Sequence, residues 1–261
     1  MDIFSNWRSS SEQLVYEPFP FFVGLLWRLR MRFVDYHVHS NHSCDGKSSI
    51  PEMCQKAVEL GIEEIGFSEH MDFEPKDWGY GFFDYERYSS EIEAAQDSFK
   101  NEIVIRKGVE IDYQYCFEGD VREWIRNKRF DFTIGAVHYL DHEIISHQLV
   151  KSNDLSRVYK MYFEEVVRSI ESRLFDVIGH FDLVSRFLSE GRSEPKSFDY
   201  WGGVNTVLEG IIEKKIHLEV NSKGLRETYK DTMPSREIVK EFIRNGGTLV
   251  SIGSDAHSIP E

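Results

Sequence analysis

Short apolar runs rich in β-branched residues alternate with amphipathic patterns along most of the chain. Seven of these runs predict strands near residues 33–38, 64–68, 103–111, 131–137, 174–179, 216–220 and 248–253. Between the runs, apolar residues recur at the i, i+3, i+4 spacing of a helix within 85–99, 155–170, 204–212 and 238–243. Repeated strand–helix alternation is typical of a parallel sheet with helical crossovers, and seven repeats predict a closed or nearly closed α/β barrel.

Residues suited to helix ends flank these patterns. Pro51 stands where a proline of the first helical turn belongs. Gly61 and Gly246 occupy positions where a left-handed helix end is expected. The candidate N-caps are Asp84, Asp154 and Ser235.

Residues 1–30 differ from the rest because they show no clean period, and the first strong strand pattern follows a second methionine, Met31. We therefore expect an N-terminal extension, 1–30, and one barrel domain, 31–261. Two interpretations of the extension remain open. It is either a terminal arm that packs its aromatic residues on the domain, or the product of a start codon upstream of the native one.

The net charge of the chain limits the kinds of partner that it is expected to bind. The chain has 261 residues with 45 acidic and 31 basic side chains, a formal charge of -14. Such a charge repels nucleic-acid phosphates and anionic lipids, so we expect a small ligand and neither nucleic acid nor a membrane surface as partner. No G-x-G-x-x-G or G-x-x-x-x-G-K pattern accompanies the glycines, so a nucleotide-binding loop is not indicated.

The chain is expected to be cytoplasmic. Its longest apolar stretch, residues 19–27, contains Pro20 and Gly24 and is shorter than the roughly 18 residues that a transmembrane helix needs. The three cysteines, Cys44, Cys54 and Cys116, form no C-x-x-C pair, so neither a disulfide framework nor a thiolate zinc site is indicated.

Histidines and carboxylates follow the apolar runs in an unusual way. Six of the ten histidines lie at or just past the carboxyl end of a run: His37, His39, His70, His138, His180 and His257. Glu110, Asp112, Asp182 and Asp255 share those positions. Because the carboxyl ends of barrel strands meet at one face, these side chains are expected to converge. A lone histidine at a strand end is more often structural, but a convergent set of imidazoles and carboxylates indicates a metal site.

The same segments resemble the successive motifs of the PHP (polymerase and histidinol phosphatase) family: D-Y-H-V-H-S at 35–40, F-S-E-H at 67–70, G-V-E-I-D at 108–112, G-A-V-H at 135–138, I-G-H at 178–180 and G-S-D-A-H at 253–257. The resemblance implies a distorted (β/α)7 TIM-like barrel with up to three metals at the strand carboxyl ends. Within the family, the chain is most similar to the monofunctional histidinol-phosphate phosphatases, through 68–73, 107–113, 179–183 and 219–226.

The resemblance implies roles for single residues. A first metal would be held by His37, His39, Glu110 and Asp255, and a second by the bridging Glu110 with His138 and His180. A third would be held by His70, His257 and Asp45, with His42 as the competing candidate for the place of Asp45. Among these ligands, Glu110, Asp255 and His257 are expected to be catalytic. The cofactor would be two to three divalent ions of Zn, Mn or Fe, since imidazole suits Zn and Fe and an aspartate favours harder ions.

The chemistry that the resemblance implies is hydrolysis of L-histidinol phosphate to L-histidinol and phosphate. Arg186 and Arg226 would bind the phosphate, with Lys223 and Asn221 as further substrate-binding residues. The loop 71–80, with Asp72 and Glu74, would contact the cationic end of the substrate. Two alternatives remain open: a phosphoesterase acting on another phosphomonoester or nucleotide, and a non-catalytic metal-binding domain.

The chain departs from the family pattern at its carboxyl end. Relatives continue from the D-x-H motif into a last helix, whereas here only four residues follow His257. We therefore expect a barrel without its final helix and with apolar surface exposed at the seam.

Overall fold

The computed structural model describes residues 32–188 and 199–261. Phe33–Glu261 is a compact unit, the second of the two into which the chain divides. The predicted extension, 1–30, lies outside the described residues, and all elements below belong to the second unit. Within the described ranges, no helix has the length and apolar character to cross a membrane.

Strands and helices alternate in the order that the sequence predicts. The strands are β1 (Val34–Val38), β2 (Glu64–Met71), β3 (Val104–Asp112), β4 (Phe132–Ala136), β5 (Tyr139–Leu140), β6 (Glu143–Ile144), β7 (Val177–Ile178), β8 (His217–Asn221) and β9 (Val250–Gly253). The helices are α1 (Ile50–Glu59), α2 (Tyr85–Ser98), α3 (Glu118–Arg126), α4 (His147–Ser152), α5 (Leu155–Ser172), α6 (Leu183–Arg186), α7 (Tyr200–Lys214), α8 (Lys223–Arg226) and α9 (Arg236–Arg244). A 3-10 turn at Tyr115–Phe117 precedes α3.

Seven strands form one parallel sheet in the order β1-β2-β3-β4-β7-β8-β9. A bridge between Val38 and Ala256 joins the first strand to the segment after the last. Two backbone hydrogen bonds support it, from His39 N to Ala256 O at 2.9 Å and from Asp255 N to His37 O at 2.7 Å. The predicted α/β class and the nearly closed seven-stranded barrel are confirmed.

Helix ends also follow the sequence pattern. The Asp84 carboxylate accepts backbone N–H groups of Glu86 and Arg87 at the start of α2, and Asp154 does the same for α5. Gly61 and Gly246 have φ of 74° and 88°, a left-handed conformation that favours glycine.

Apolar faces of the helices pack on the outside of the barrel. Tyr162 and Phe163 of α5 are buried with Leu208 of α7 in the larger cluster. In a second cluster, Tyr88 of α2 is fully buried, and its hydroxyl donates to the backbone oxygen of Phe67 in β2 at 3.0 Å. This packing holds the strands in the register that places their carboxyl ends at one face.

Two features lie outside the predicted pattern. The predicted strand 174–179 is regular only at Val177–Ile178, and β5 and β6 form a small antiparallel hairpin. Asp141 and His142 turn this hairpin with φ of 51° and 65°. Strands of two residues carry no readable period, so the pattern could not reveal the hairpin.

The carboxyl-terminal residues, 254–261, contain no helix. Val250 and Ile252 on the outer face of β9 remain 39% and 43% exposed. These two side chains leave apolar surface exposed at β9.

Candidate metal centre

The predicted ligands meet at the carboxyl face of the barrel. His37 lies in β1, His70 in β2 and Glu110 in β3. The other ligands lie beyond the strand ends, at His39 after β1, His138 after β4, His180 after β7, and Asp255 and His257 after β9. Because residues i and i+2 of a strand point to the same side, His37 and His39 both enter the cluster.

Glu110 occupies the centre of the cluster and is 1% exposed. Its Oε2 lies 3.0 Å from His70 Nδ1 and 3.3 Å from His37 Nε2. Its Oε1 lies 2.9 Å from His180 Nε2 and 3.7 Å from His138 Nε2. One carboxylate therefore faces imidazoles from four segments, which is the position that a bridging ligand requires.

A second group surrounds His39. Its Nε2 lies 3.7 Å from Asp255 Oδ1, and its ring stacks between those of His70 and His257, with centroid distances of 4.2 Å to each. Asp45 approaches the same pair, with Oδ2 3.1 Å from His257 Nε2 and Oδ1 3.6 Å from His70 Nε2.

His42 points elsewhere. Its Nε2 lies 3.0 Å from a carboxylate oxygen of Glu91 in α2, and its ring contacts that of Tyr88. Of the two candidates for the third place, the structure brings Asp45 to the cluster and leaves His42 on the α2 side.

The donor atoms fit divalent metal ions. Among the described residues, three groups of donors lie with their ligand atoms within 4.8 Å of one another: His39, His70 and His257; His37, Glu110 and His180; His37, His39 and Asp255. Four atoms of the proposed ligands are buried and make no hydrogen bond: His37 Nε2, His39 Nε2, Glu110 Oε2 and Asp45 Oδ1. Buried polar atoms without partners are costly, and bound metal ions would satisfy them.

Electrostatics in the cluster agree with this role. Burial lowers the pKa of His39 well below its ordinary value and that of His138 to about 3, which favours the neutral imidazole that binds metal. Burial opposes ionisation of Glu110, but His37 and His70 outweigh it and hold the pKa of Glu110 well below its usual range. Glu110 is thus anionic beside neutral His39 and His138. Burial opposes protonation of His37 and His70, but the neighbouring carboxylates outweigh it and raise the pKa of both well above the ordinary value, so a metal ion would displace a proton from each.

Glu219 in β8 is a site residue that the sequence did not reveal. It is 1% exposed, its Oε1 lies 2.5 Å from His37 Nδ1, and its Oε2 accepts the backbone N–H of His180 at 2.7 Å. A carboxylate on Nδ1 leaves Nε2 of His37 directed at Glu110, which is how such partners orient metal ligands. In the strand sequence H-L-E-V-N, alternate residues point to the same side, so Glu219 and Asn221 share one face. This alternation was the sequence feature that could have indicated Glu219.

A cleft of about 270 Å³ opens over the cluster. Arg186 and Lys223 line it together with Glu110, His180 and Asp255. Both cations are paired with carboxylates. Arg186 Nε and Nη2 donate to Glu227 at 2.6 and 2.5 Å, and Lys223 Nζ donates to Asp255 Oδ1 at 2.9 Å.

Two of the predicted substrate-binding residues do not reach the cleft. Asn221 is fully buried, and its side chain donates to Asp255 Oδ2 at 3.2 Å and accepts the Lys223 backbone N–H at 2.9 Å. Arg226 donates to the backbone oxygen of Ser254 at 2.8 Å and is not among the residues that line the cleft. At the end of β8, Asn221 thus supports a metal ligand, and Arg226 in α8 binds the backbone of the segment after β9.

The family model of the PHP domain matches residues 35–223, most of the chain. The chain belongs to the PHP domain family. The resemblance that its motifs carry is thereby confirmed.

Over most of its length the chain is also similar to histidinol-phosphatases. A histidinol-phosphatase of Lactococcus lactis is 28% identical over 236 residues, which cover 87% of this chain and 85% of that protein. A histidinol-phosphatase of Bacillus subtilis is 25% identical over 255 residues, which cover 85% of this chain and 92% of that protein. A crystal structure of histidinol phosphate phosphatase from Lactococcus lactis, in complex with zinc, L-histidinol and phosphate, matches with a TM-score of 0.78 at 24% identity and covers 87% of each chain. The last comparison shows that the PHP barrel fold is shared.

Proposed function

We propose that this chain is a metal-dependent phosphatase that hydrolyses L-histidinol phosphate to L-histidinol and phosphate. The observation that carries the proposal is the buried Glu110 Oε2 beside Nε2 of His37 and of His39, three atoms that make no hydrogen bond within the protein. Support for the substrate comes from the histidinol-phosphatases to which most of the chain is similar.

Two to three ions of Zn, Mn or Fe would be held by the proposed ligands, with Glu110 shared between sites. Such ions, when bound, supply a hydroxide nucleophile at neutral pH and neutralise charge on the phosphate and the leaving oxygen. The protein's own part is to hold the ligands in place and to orient the substrate. Glu219 orients His37, and Asn221 and Lys223 hold the two oxygens of Asp255.

Arg186 is the proposed phosphate-binding cation. A guanidinium has five N–H donors, of which the bidentate contact with Glu227 uses two, so three remain for phosphate oxygens. Lys223 has three N–H donors. One of them binds Asp255, and two remain for the phosphate. We propose a lesser role for Arg226, since its guanidinium binds the Ser254 backbone oxygen and does not line the cleft.

Acidic and aromatic residues line the part of the cleft formed by the loop after His70. Asp72, Asp77 and Trp78 face it from this loop, opposite Ile144 of the β5–β6 hairpin. Burial raises the pKa of Asp72 to about 6, so the carboxylate is mostly ionised at neutral pH. An ammonium or imidazolium group of the substrate would find a negative charge there.

The direct test of this function is phosphate release from a panel of phosphomonoesters by the metal-reconstituted protein. L-Histidinol phosphate is expected to have the highest kcat/KM of the panel. A preference for an aryl phosphate or a nucleotide would favour another phosphoesterase activity, and no release from any substrate would favour a non-catalytic metal-binding domain.

Replacing Arg186 by alanine should lower kcat/KM for every phosphomonoester. A charged hydrogen bond contributes about 1.5–3 kcal/mol, which corresponds to roughly a 10- to 150-fold loss. Arg236→Ala is the matched control, because Arg236 is exposed and pairs with Asp231 away from the cleft. Equal kcat/KM values for the two variants would exclude Arg186 from phosphate binding.

Replacing Asp72 by asparagine should reduce kcat/KM for L-histidinol phosphate about tenfold more than for phenyl phosphate, since only the former carries a cationic group. Glu74→Gln is the control from the same loop. Glu74 is buried beside His142, with 2.5 Å between Oε2 and Nδ1, and does not line the cleft. An equal loss on both substrates in Asp72→Asn would contradict the specificity role.

A further inference from the structure

The buried carboxylate of Glu69 takes no part in the cluster described above, although it immediately precedes His70. Glu69 is fully buried, and its side chain points to the loop that links β1 to α1. This loop carries Asp45. The hydrogen bonds between Glu69 and this loop therefore affect the position of Asp45, a proposed ligand that Glu69 does not touch.

Four hydrogen bonds attach Glu69 to the loop. Its two oxygens share the Ser40 backbone N–H at 3.1 and 3.0 Å, and the Ser40 hydroxyl donates to Oε1 at 2.7 Å. The Ser43 hydroxyl donates to Oε2 at 2.6 Å. Every partner is a donor. The loop closes tightly here, since a Cβ on Gly46 would lie 1.7 Å from the Ser40 backbone oxygen.

The Ser43 hydroxyl links this carboxylate to a metal ligand. Its oxygen accepts the backbone N–H of His70 at 2.9 Å and lies 3.0 Å from His39 Nδ1. A hydroxyl has one hydrogen and two acceptor positions. Because the hydrogen goes to Glu69, the contact with His39 requires that Nδ1 carry a hydrogen and donate it.

The tautomer of His39 follows from this proton count. With the hydrogen on Nδ1, Nε2 has a free lone pair, and Nε2 is the buried atom without a hydrogen-bond partner that lies 3.5 Å from Glu110 and 3.7 Å from Asp255. A neutral imidazole binds metal only through its unprotonated nitrogen.

We propose that Glu69 is a positioning residue for the metal centre, acting through Ser43 on the tautomer of His39 and through Ser40 and Ser43 on the loop that carries Asp45. This role rests on the metal-dependent function proposed above. Glu69 itself touches neither substrate nor metal.

The substitution Glu69→Gln removes the negative charge of the side chain and keeps its shape. The amide presents an NH2 group where one carboxylate oxygen stood, so it cannot accept from both serine hydroxyls. If the Ser43 hydrogen turns to His39 Nδ1, the ring must carry its own hydrogen on Nε2 and loses its free lone pair toward the cluster. Loss of such a partner typically lowers metal affinity about 10- to 100-fold.

The matched control is Glu64→Gln. Glu64 is a buried carboxylate at the opposite end of the same strand, β2, where it accepts from Arg106 at 2.6 Å. The two variants remove a buried charge from one strand, but only Glu69→Gln removes a partner of the metal-ligand network.

The experiment is a titration of each metal-free protein with zinc in a competing chelator, with the fold monitored by circular dichroism. Glu69→Gln should need about 10- to 100-fold more free zinc for half occupancy, and Glu64→Gln should stay within about twofold of wild type. In 15N spectra of metal-free, histidine-labelled protein, the His39 signal should change from the Nδ1–H to the Nε2–H tautomer in Glu69→Gln.

Wild-type zinc affinity in folded Glu69→Gln, or an equal loss in both variants, would overturn the inference. Ser43→Ala, which removes the hydroxyl and leaves the carboxylate, gives the same test if Glu69→Gln does not fold. Zinc binding needs no substrate, so a protein that binds zinc without releasing phosphate would refute the proposed function and leave this test intact. A wild-type protein that binds no zinc would overturn both.

Discussion

Glu110→Gln is expected to lower kcat/KM by roughly 10²–10⁴-fold while the barrel stays folded. The substitution removes the charge that faces His37, His70 and His180, and leaves one oxygen where two are needed to bridge. Two lost charged contacts at about 1.5–3 kcal/mol each amount to about 3–6 kcal/mol, which gives this range. Steady-state phosphate release from L-histidinol phosphate measures the effect.

The control for Glu110→Gln is again Glu64→Gln, which neutralises a buried carboxylate on the neighbouring strand at the opposite end of the barrel. Circular dichroism and metal analysis of both variants separate unfolding from loss of the bridge. A Glu110→Gln enzyme with wild-type turnover would show that no bridge forms at this residue.

Removal of metal is expected to lower the thermal midpoint of unfolding by about 5–10 °C for each site emptied. A ligand at a hundred times its Kd contributes about 2.7 kcal/mol, and 1 kcal/mol shifts Tm by roughly 2–4 °C in a domain of this size. The physical cause is the set of buried donor atoms, including His37 Nε2 and His39 Nε2, that have no protein partner. Calorimetry before and after chelation measures the shift.

Readdition of zinc should restore the original Tm, which distinguishes emptying of the sites from irreversible damage. The same chelation applied to Glu110→Gln should give a smaller shift, because that variant has less bound metal to lose. An unchanged Tm in fully metal-stripped wild type would contradict the assignment of the buried atoms as metal donors.

The sequence predicted the barrel and the convergence of its ligands because both depend on local patterns. Strand and helix periods give the seven repeats, and a parallel barrel brings every strand end to one face. His37 and His39 could be paired from their i, i+2 spacing alone. Gly61 and Gly246 likewise marked helix ends because their backbone angles are local properties.

The network around the ligands could not be predicted in the same way, since it depends on which side chains meet in space. Glu219 lies 182 residues from His37 in the chain, and nothing near either residue indicates the contact. Glu227 lies 41 residues after Arg186 in the chain and accepts hydrogen bonds from two of its N–H groups. Asn221 ends a strand, as a ligand would, yet its amide supports Asp255.

The most direct test of a metal-dependent histidinol-phosphate phosphatase is the rate of phosphate release from L-histidinol phosphate as metal-stripped protein is titrated with Zn, Mn or Fe. The expected result is no turnover in the stripped protein and activity that saturates only above one equivalent of metal per chain, since nine proposed ligands are too many for one ion of four to six ligands. Saturation at or below one equivalent would contradict the multinuclear centre. Undiminished release after stripping would contradict metal dependence itself.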